Sequence, residues 1–148
     1  MPKAIFVDVD GTLFSHDAKR VPETAVKALQ YAREKDVLLF IATGRSKVIL
    51  EKIPSLDTTM PFDGFVTLNG AYCYTDDRVI FKNPMHPDAV AAVIEHIARN
   101  PFPCIFNEEN VQYINMINDS VREIRGNLAL PLPSVRNPLQ ALNADIIT

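Results

Sequence analysis

The chain has 148 residues, of which 47% are hydrophobic and 22% are charged, and its formal net charge is −3. This length and apolar content are sufficient for a domain with a buried core and argue against a disordered chain. The slightly acidic balance is not that of a nucleic-acid-binding protein, and no apolar run approaches the roughly 20 residues of a membrane-spanning helix.

The two cysteines, Cys73 and Cys104, predict no disulfide framework, and a reducing cytoplasm is the simplest location. The N-terminus enters an apolar segment without the charged and long apolar regions of a signal peptide. We therefore expect a cytoplasmic protein that binds neither membranes nor nucleic acids.

The first predicted element is the apolar run of residues 4–7, which has the pattern of a strand buried on both faces. Asp8 and Asp10 follow it, and Gly11 allows a sharp turn. Because residues i and i+2 of an extended chain point the same way, the two carboxylates would share one site. Such a pair needs a cation or a proton between its members, and oxygen ligands suit Mg²⁺. From this spacing alone, an ordinary turn after a strand is an equally good interpretation.

The next elements form a strand–helix–strand unit. A helix begins around Pro22 and Glu23, since proline is tolerated at the first helical position and a carboxylate suits the helix start. Residues 37–42 are a second apolar strand, and this order predicts a parallel pair with a right-handed crossover. Parallel strands end at the same edge of the sheet, where ligands bind, so Thr43 is expected near Asp8.

A candidate phosphate site follows the second strand. Thr43 supplies a hydroxyl, Gly44 allows close approach of the backbone, and amides open the next helix. Alone, this segment through Arg45 is better interpreted as an ordinary turn. A third apolar strand, residues 63–68, ends in Asn69 at the same edge. Asn-Gly is also among the commonest turn pairs, so a structural role for Asn69 is equally open.

The rest of the chain predicts a hairpin and then a second module. Residues 71–75 and 78–81 flank a two-Asp turn, and the module boundary is expected after residue 82. The module itself has an α+β pattern, without His/Cys metal spacing. Its predicted elements are a helix from Pro87, strands at 102–106 and 111–114, a short helix capped by Asp119 or Ser120 and ending at Gly126, and the beginning of a strand at 146–147.

Two of these segments resemble known motifs. Residues 8–13, Asp-Val-Asp-Gly-Thr-Leu, resemble the first motif of the haloacid dehalogenase (HAD) superfamily, and residues 42–45, Ala-Thr-Gly-Arg, resemble the second motif of its Cof-type branch, class IIB. The resemblance implies an α/β fold, with a partial HAD-like Rossmannoid parallel sheet in residues 1–82 and an incomplete inserted α+β cap in residues 83–148. It also implies Mg²⁺-dependent hydrolysis of small phosphate esters, such as sugar phosphates, through an aspartyl phosphate. A phosphomutase would use the same pair of aspartates.

The resemblance also implies roles for individual residues. Asp8 would be the nucleophile and Asp10 the general acid/base. Mg²⁺ would be held by Asp8 and by the main chain of the segment from Val9 to Asp10. Asp10 would therefore contribute to the metal site through its main chain. The residues implied in binding phosphate or substrate are Val9, Thr43, Gly44, Arg45 (near the substrate entrance) and Asn69.

The later motifs of the Cof-type pattern are not found in the sequence. They are a lysine and an acidic pair of the form Gly-Asp-x-x-x-Asp, whereas no lysine follows Lys82. We therefore expect the chain to be truncated within the cap, with the remaining C-terminal part of the same protein or a partner chain supplying these groups. The alternative is a non-catalytic fragment or half-site.

Overall fold

The computed structural model describes residues 3–15, 20–53, 56, 62–128 and 130–148. The chain divides into two units, Met1–Lys82 and Asn83–Thr148. Among the helices in these ranges, none combines the length and the apolar character that crossing a bilayer requires.

The first unit is built on a five-stranded sheet in which spatial order follows chain order. The first three strands are parallel to one another, as the sequence predicts, and the last two form an antiparallel hairpin. The elements are β1 (Lys3–Val7), α1 (Glu23–Arg33), β2 (Val37–Ala42), α2 (Lys47–Leu50), β3 (Gly64–Thr67), β4 (Tyr72–Tyr74) and β5 (Val79–Lys82).

One face of this sheet carries the core of the unit. Leu39 and Ile41 alternate along β2 and are fully buried, and Leu29 of α1 packs in the same core. Val7 and Phe65 are paired with Ile41 from either side, so the same face continues across three strands. The apolar face of α1 therefore packs on this face of the sheet.

The opposite face of the sheet is apolar and open. Phe6 stacks on Phe40 with ring centroids 4.8 Å apart, yet 59% of Phe6 is exposed. Leu38 on β2 and Phe81 on β5 are exposed as well. Parallel strands are usually covered on both faces, and this sheet is covered on one within the described ranges.

The second unit, α+β as the sequence predicts, contains α3 (Pro87–Arg99), α4 (Asp119–Asn127) and a three-stranded sheet of β6 (Ile105–Asn107), β7 (Gln112–Ile114) and β8 (Ser134–Val135). β6 and β7 are antiparallel, and β7 and β8 are parallel. The buried face of α3 packs against the sheet and a 3₁₀ helix at Pro138–Asn143. The core residues include Val90, Ile94, Ile97, Phe106, Tyr113, Ala141 and Ile146.

The burial predicted for the first strand is wrong, because β1 is exposed from Lys3 to Phe6. The strand predicted at residues 102–106 begins only at Ile105.

Three further local predictions need correction. Pro22 is the N-cap of α1, not its first helical residue. Asn118 caps α4 through its side chain, which accepts a hydrogen bond from the Val121 amide (3.0 Å), so neither predicted cap is used. Ile146 and Ile147 are buried but form no strand, although the Ile147 amide donates to the Asn107 carbonyl.

Candidate active site

The predicted site residues lie on three loops that follow β1, β2 and β3. These strands are parallel, so their C-terminal ends share one edge of the sheet. A cleft of about 370 Å³ opens at this edge. The cleft is lined by Asp8, Ala42, Thr43, Gly44, Val66, Asn69 and Gly70.

The first loop presents Asp8 to solvent. Its main-chain oxygen accepts a hydrogen bond from the Leu13 amide (3.1 Å), and the Val9 oxygen accepts one from Phe14 (2.7 Å). Gly11 has φ 72°, a left-handed conformation that glycine adopts without strain. These bonds hold a tight turn, and within the described ranges the Asp8 carboxylate accepts no hydrogen bond, which leaves its oxygens available to a ligand.

Asp10 is paired with Arg45. Arg45 Nε donates to Asp10 Oδ2 (2.8 Å) and Nη2 donates to Oδ1 (2.6 Å). The Arg45 side chain is 10% exposed and that of Asp10 is 37% exposed. This two-point contact is the strongest geometry for a guanidinium and a carboxylate, and it orients the Asp10 carboxyl. The sequence placed Arg45 near a substrate entrance and carried no signal for this pairing across 35 positions.

The second loop is held by its own polar groups. The Thr43 amide continues the sheet by donating to the Val66 carbonyl (2.9 Å), and the Arg45 amide donates to the Thr43 hydroxyl oxygen (3.2 Å). The Thr43 hydroxyl keeps a proton that it can donate, and Thr43 lines the cleft. Gly44 packs closely against the third loop, because a Cβ at this position would lie 3.0 Å from Asn69 Oδ1 and the Asn69 side chain would have to shift.

The third loop contains three successive residues with positive φ. Leu68 (51°), Asn69 (54°) and Gly70 (92°) form a left-handed turn. The Leu68 amide donates to the Arg45 carbonyl (3.1 Å) and the Asn69 amide donates to the Thr43 carbonyl (3.3 Å). Sequence reasoning noted the Asn-Gly pair but did not find Leu68, since leucine carries no turn signal.

The main-chain and carboxylate oxygens of the first loop fit an Mg²⁺ site in part. The Asp8 carboxylate is exposed, whereas the Val9 carbonyl already accepts hydrogen bonds from the amides of Thr12 and Phe14. The Asp10 carboxylate is engaged by Arg45, so only its main chain is a candidate. The described residues contain no cluster of three His, Cys, Asp or Glu side chains suited to a metal. Further ligands would therefore be waters or groups outside the described residues.

A second cavity of about 270 Å³ contains none of the predicted site residues. Its floor is apolar, formed by Ile41, Phe65 and the aliphatic part of α2. Burial raises the pKa of the Tyr74 hydroxyl at its wall, and the nearby carboxylates Glu51 and Asp76 add to this effect. A neutral phenol suits packing against this apolar lining.

The sequence matches a known protein family. A sequence model described as haloacid dehalogenase-like hydrolase matches residues 5–134. The chain belongs to the haloacid dehalogenase-like hydrolases. The match covers both motifs and extends through most of the second unit of this HAD chain.

Similar proteins agree with this family. The Bacillus subtilis protein YkrA, named provisionally as a phosphatase, is 31% identical over 108 residues, which are 73% of this chain and 40% of YkrA. A solved structure of a HAD subclass IIB sugar phosphatase matches with a TM-score of 0.86 and 33% identity, over 97% of this chain and 56% of that one. A structure reported for the trigonal-bipyramidal intermediate of a phosphoryl-transfer superfamily matches with a TM-score of 0.88 and 33% identity, over 99% and 56%. The HAD chain thus spans about half the length of these relatives.

Proposed function

We propose that this HAD chain carries the nucleophile half of a phosphomonoester hydrolase that acts on small phosphorylated metabolites. The observation that supports this most is the cleft that an exposed Asp8 and Thr43 both line, with Asp10, held by Arg45, on the same loop as Asp8. The substrate class, sugar phosphates or similar esters, is suggested by the sugar phosphatase to which the chain is similar.

In the proposed reaction, an Asp8 carboxylate oxygen attacks phosphorus and the bond from phosphorus to the alcohol oxygen breaks. Asp10 gives its proton to that oxygen, so that the alcohol leaves neutral. The Asp8 acyl phosphate is then attacked by water, whose proton passes to Asp10, and phosphate and free Asp8 are regenerated. The Thr43 hydroxyl and the Val9 amide are candidates to donate hydrogen bonds to the phosphoryl oxygens.

The Arg45 contact bears on both proton transfers. A guanidinium held by two hydrogen bonds stabilises the Asp10 carboxylate, the form that accepts a proton from water. A protonated Asp10 loses part of this attraction, so the pair must loosen when Asp10 acts as the acid. The 37% exposure of Asp10 allows a leaving group to reach it.

Mg²⁺, held in part by Asp8 and the main chain of Asp10, would neutralise charge on the phosphoryl group. The described residues supply no third carboxylate to this site and no lysine beside it. This observation favours a second candidate function, a half-site that binds phosphate and becomes catalytic only with groups from further polypeptide.

The test is Mg²⁺-dependent release of phosphate from p-nitrophenyl phosphate by the wild-type chain, Asp8→Asn and a control, Asp36→Asn. Asp36 is exposed, lies outside the site and has φ 55°, a conformation that asparagine tolerates. For a hydrolase, we expect Asp8→Asn to lose at least about 10³-fold in activity, as when a catalytic nucleophile is removed, and Asp36→Asn to match the wild type.

Equal rates for wild type and Asp8→Asn would exclude Asp8 chemistry in this chain. If inorganic phosphate still bound to the wild type in calorimetry, with binding weakened by a Thr43→Val substitution, the half-site would be the supported function. An absence of both phosphate release and phosphate binding would contradict both candidates.

A further inference from the structure

We propose that the left-handed turn at Leu68 and Asn69 is a positioning element that holds Arg45 against Asp10. This inference rests on the proposed function for its catalytic consequence, although its geometry does not. It also assigns Asn69 a main-chain role in place of the predicted contact with phosphate or substrate.

The turn has an unfavourable backbone conformation. Leu68 and Asn69 have φ of 51° and 54°, and the left-handed region brings Cβ close to the following carbonyl oxygen. Asparagine adopts it more readily than most residues, whereas a leucine there is a true outlier. Such residues persist only where the surrounding structure over-determines them, and they concentrate at functional sites.

Hydrogen bonds on both sides determine the turn. The amides of Leu68 and Asn69 both donate to the second loop, to the carbonyls of Arg45 (3.1 Å) and Thr43 (3.3 Å). On the other side, the Leu68 carbonyl accepts from the Ala71 amide (3.1 Å). The Leu68 side chain is itself buried, at 8% exposure.

The left-handed conformation is what directs two successive amides at the same loop. Along an extended chain, successive N–H groups alternate in direction, so only one of them would reach the second loop. With both amides engaged, the Arg45 backbone is fixed at its carbonyl by Leu68 and at its amide by the Thr43 hydroxyl. The main chain from which the Arg45 side chain extends is therefore held in place.

The position of the Arg45 main chain matters because the contact of its side chain with Asp10 is planar and consists of two hydrogen bonds. Arg45 must meet both carboxylate oxygens at 2.8 and 2.6 Å from a neighbouring loop. A small rotation of its main chain would leave one bond unmade, and the Asp10 carboxylate would no longer be held at both of its oxygens. The chain of positioning runs from the turn through the loop to the acid/base.

Two substitutions at Asn69 separate positioning from direct ligand contact. Asn69→Gly and Asn69→Val both remove the side-chain amide, so a ligand contact through it is lost equally in both. Glycine adopts positive φ without strain and retains the amide that donates to Thr43, whereas β-branched valine disfavours that conformation. Loss of an amide contact alone would affect both variants equally and leave Arg45 unchanged, whereas a positioning role predicts that only Asn69→Val disturbs the Arg45 contact with Asp10.

The experiment measures exchange of the Arg45 Nε proton by ¹⁵N-resolved NMR, together with kcat and KM for p-nitrophenyl phosphate. We expect protection of this proton in wild type and Asn69→Gly and its loss in Asn69→Val. We expect kcat of Asn69→Val to fall about 10²-fold, the cost of small misplacements in active sites, with KM nearly unchanged. Thermal unfolding accompanies each variant, and Asn69→Ala, with a smaller side chain, replaces valine if that variant does not fold.

Protection of Arg45 Nε in Asn69→Val equal to that of the wild type would overturn the inference. So would an equal loss of activity in Asn69→Gly and Asn69→Val, which would assign Asn69 to the ligand. A third outcome is that neither the wild type nor the variants release phosphate, although the difference in Arg45 Nε protection is observed. In that case the positioning role would stand and the hydrolase proposal alone would fail.

Discussion

At the scale of single residues, Tyr113 carries an unusual polar group. Its ring is fully buried on β7, stacks on Phe106 with centroids 5.3 Å apart, and lies under the guanidinium of Arg136. Its hydroxyl has no hydrogen-bond partner among the described residues. Burial raises the pKa of Tyr113, Glu108 raises it further and Arg136 opposes the shift. Burying this hydroxyl therefore costs desolvation free energy that no hydrogen bond among the described residues offsets.

We expect Tyr113→Phe to increase the free energy of unfolding by about 1 kcal/mol, because the substitution removes an unpaired buried polar group and keeps the ring. Urea denaturation followed by circular dichroism measures the change. Tyr31→Phe is the matched control, since Tyr31 is exposed on α1 and its substitution should leave stability unchanged. A loss of stability in Tyr113→Phe would mean that the hydroxyl has a partner outside the described residues.

At the scale of secondary-structure elements, Asp63 ties three of them together. The carboxylate accepts a hydrogen bond from the Leu39 amide of β2 (2.8 Å) and pairs with Arg33 at the end of α1. Its own amide, just before β3, donates to the Leu39 carbonyl (2.7 Å). Burial acts to raise the pKa of Asp63, but Arg33 and the Leu39 amide together outweigh it, so the pKa is lowered.

This lowered pKa makes Asp63 a source of acid sensitivity. A depressed carboxyl pKa in the folded state contributes stability above the unfolded value of about 3.9, and that contribution is lost as the pH falls through the folded value. We expect Asp63→Asn to lower the free energy of unfolding at pH 7 by about 1–2 kcal/mol, since it removes hydrogen bonds to a charged group.

The measurement is urea unfolding of wild type and Asp63→Asn at pH 7 and at pH 3. The difference between the two proteins should shrink at the lower pH, because pH 3 lies below the unfolded pKa of about 3.9 and approaches the lowered pKa of the folded state. Asp36→Asn controls for removal of a surface charge. An equal difference at both pH values would show that the lowered pKa of Asp63 does not contribute to stability.

At the scale of the first unit as a whole, the open face of its sheet exposes apolar side chains. Paired positions place Phe40, Val66, Cys73 and Phe81 on one face across successive strands. Of these, Phe81 is about half exposed, as is Phe6 next to Phe40. Apolar patches of this kind mark interaction surfaces or sites of self-association.

We expect this face to bind a hydrophobic fluorescent dye, and Phe81→Gln to reduce the fluorescence because it removes apolar surface at the edge strand. Tyr31→Gln removes an aromatic ring of comparable exposure from α1 and should not change it. Sedimentation velocity at increasing concentration tests self-association in the same pair. Equal dye binding by Phe81→Gln and wild type would place the dye site elsewhere.

The elements of this chain could be predicted where local patterns are strong. The apolar runs before Asp8 and before Thr43 indicated two parallel strands, and the sequence predicted a helix from Pro87. The structure contains all three elements. Short pieces were missed because their stability depends on neighbours. β8 has two residues and exists only as a partner of β7, and the cap of α4 was displaced by one position to Asn118.

The sequence by itself determined which chemical groups stand at the strand ends: two aspartates, a Thr-Gly-Arg segment and an Asn-Gly pair. It also determined that they meet, because parallel strands end at one edge. Only the tertiary structure decided how these groups are partnered. Arg45 pairs with Asp10, and the amide of Leu68, a residue with positive φ, donates to the Arg45 carbonyl. Contacts between loops depend on side-chain reach and backbone strain, which periodicity and spacing along a chain do not encode.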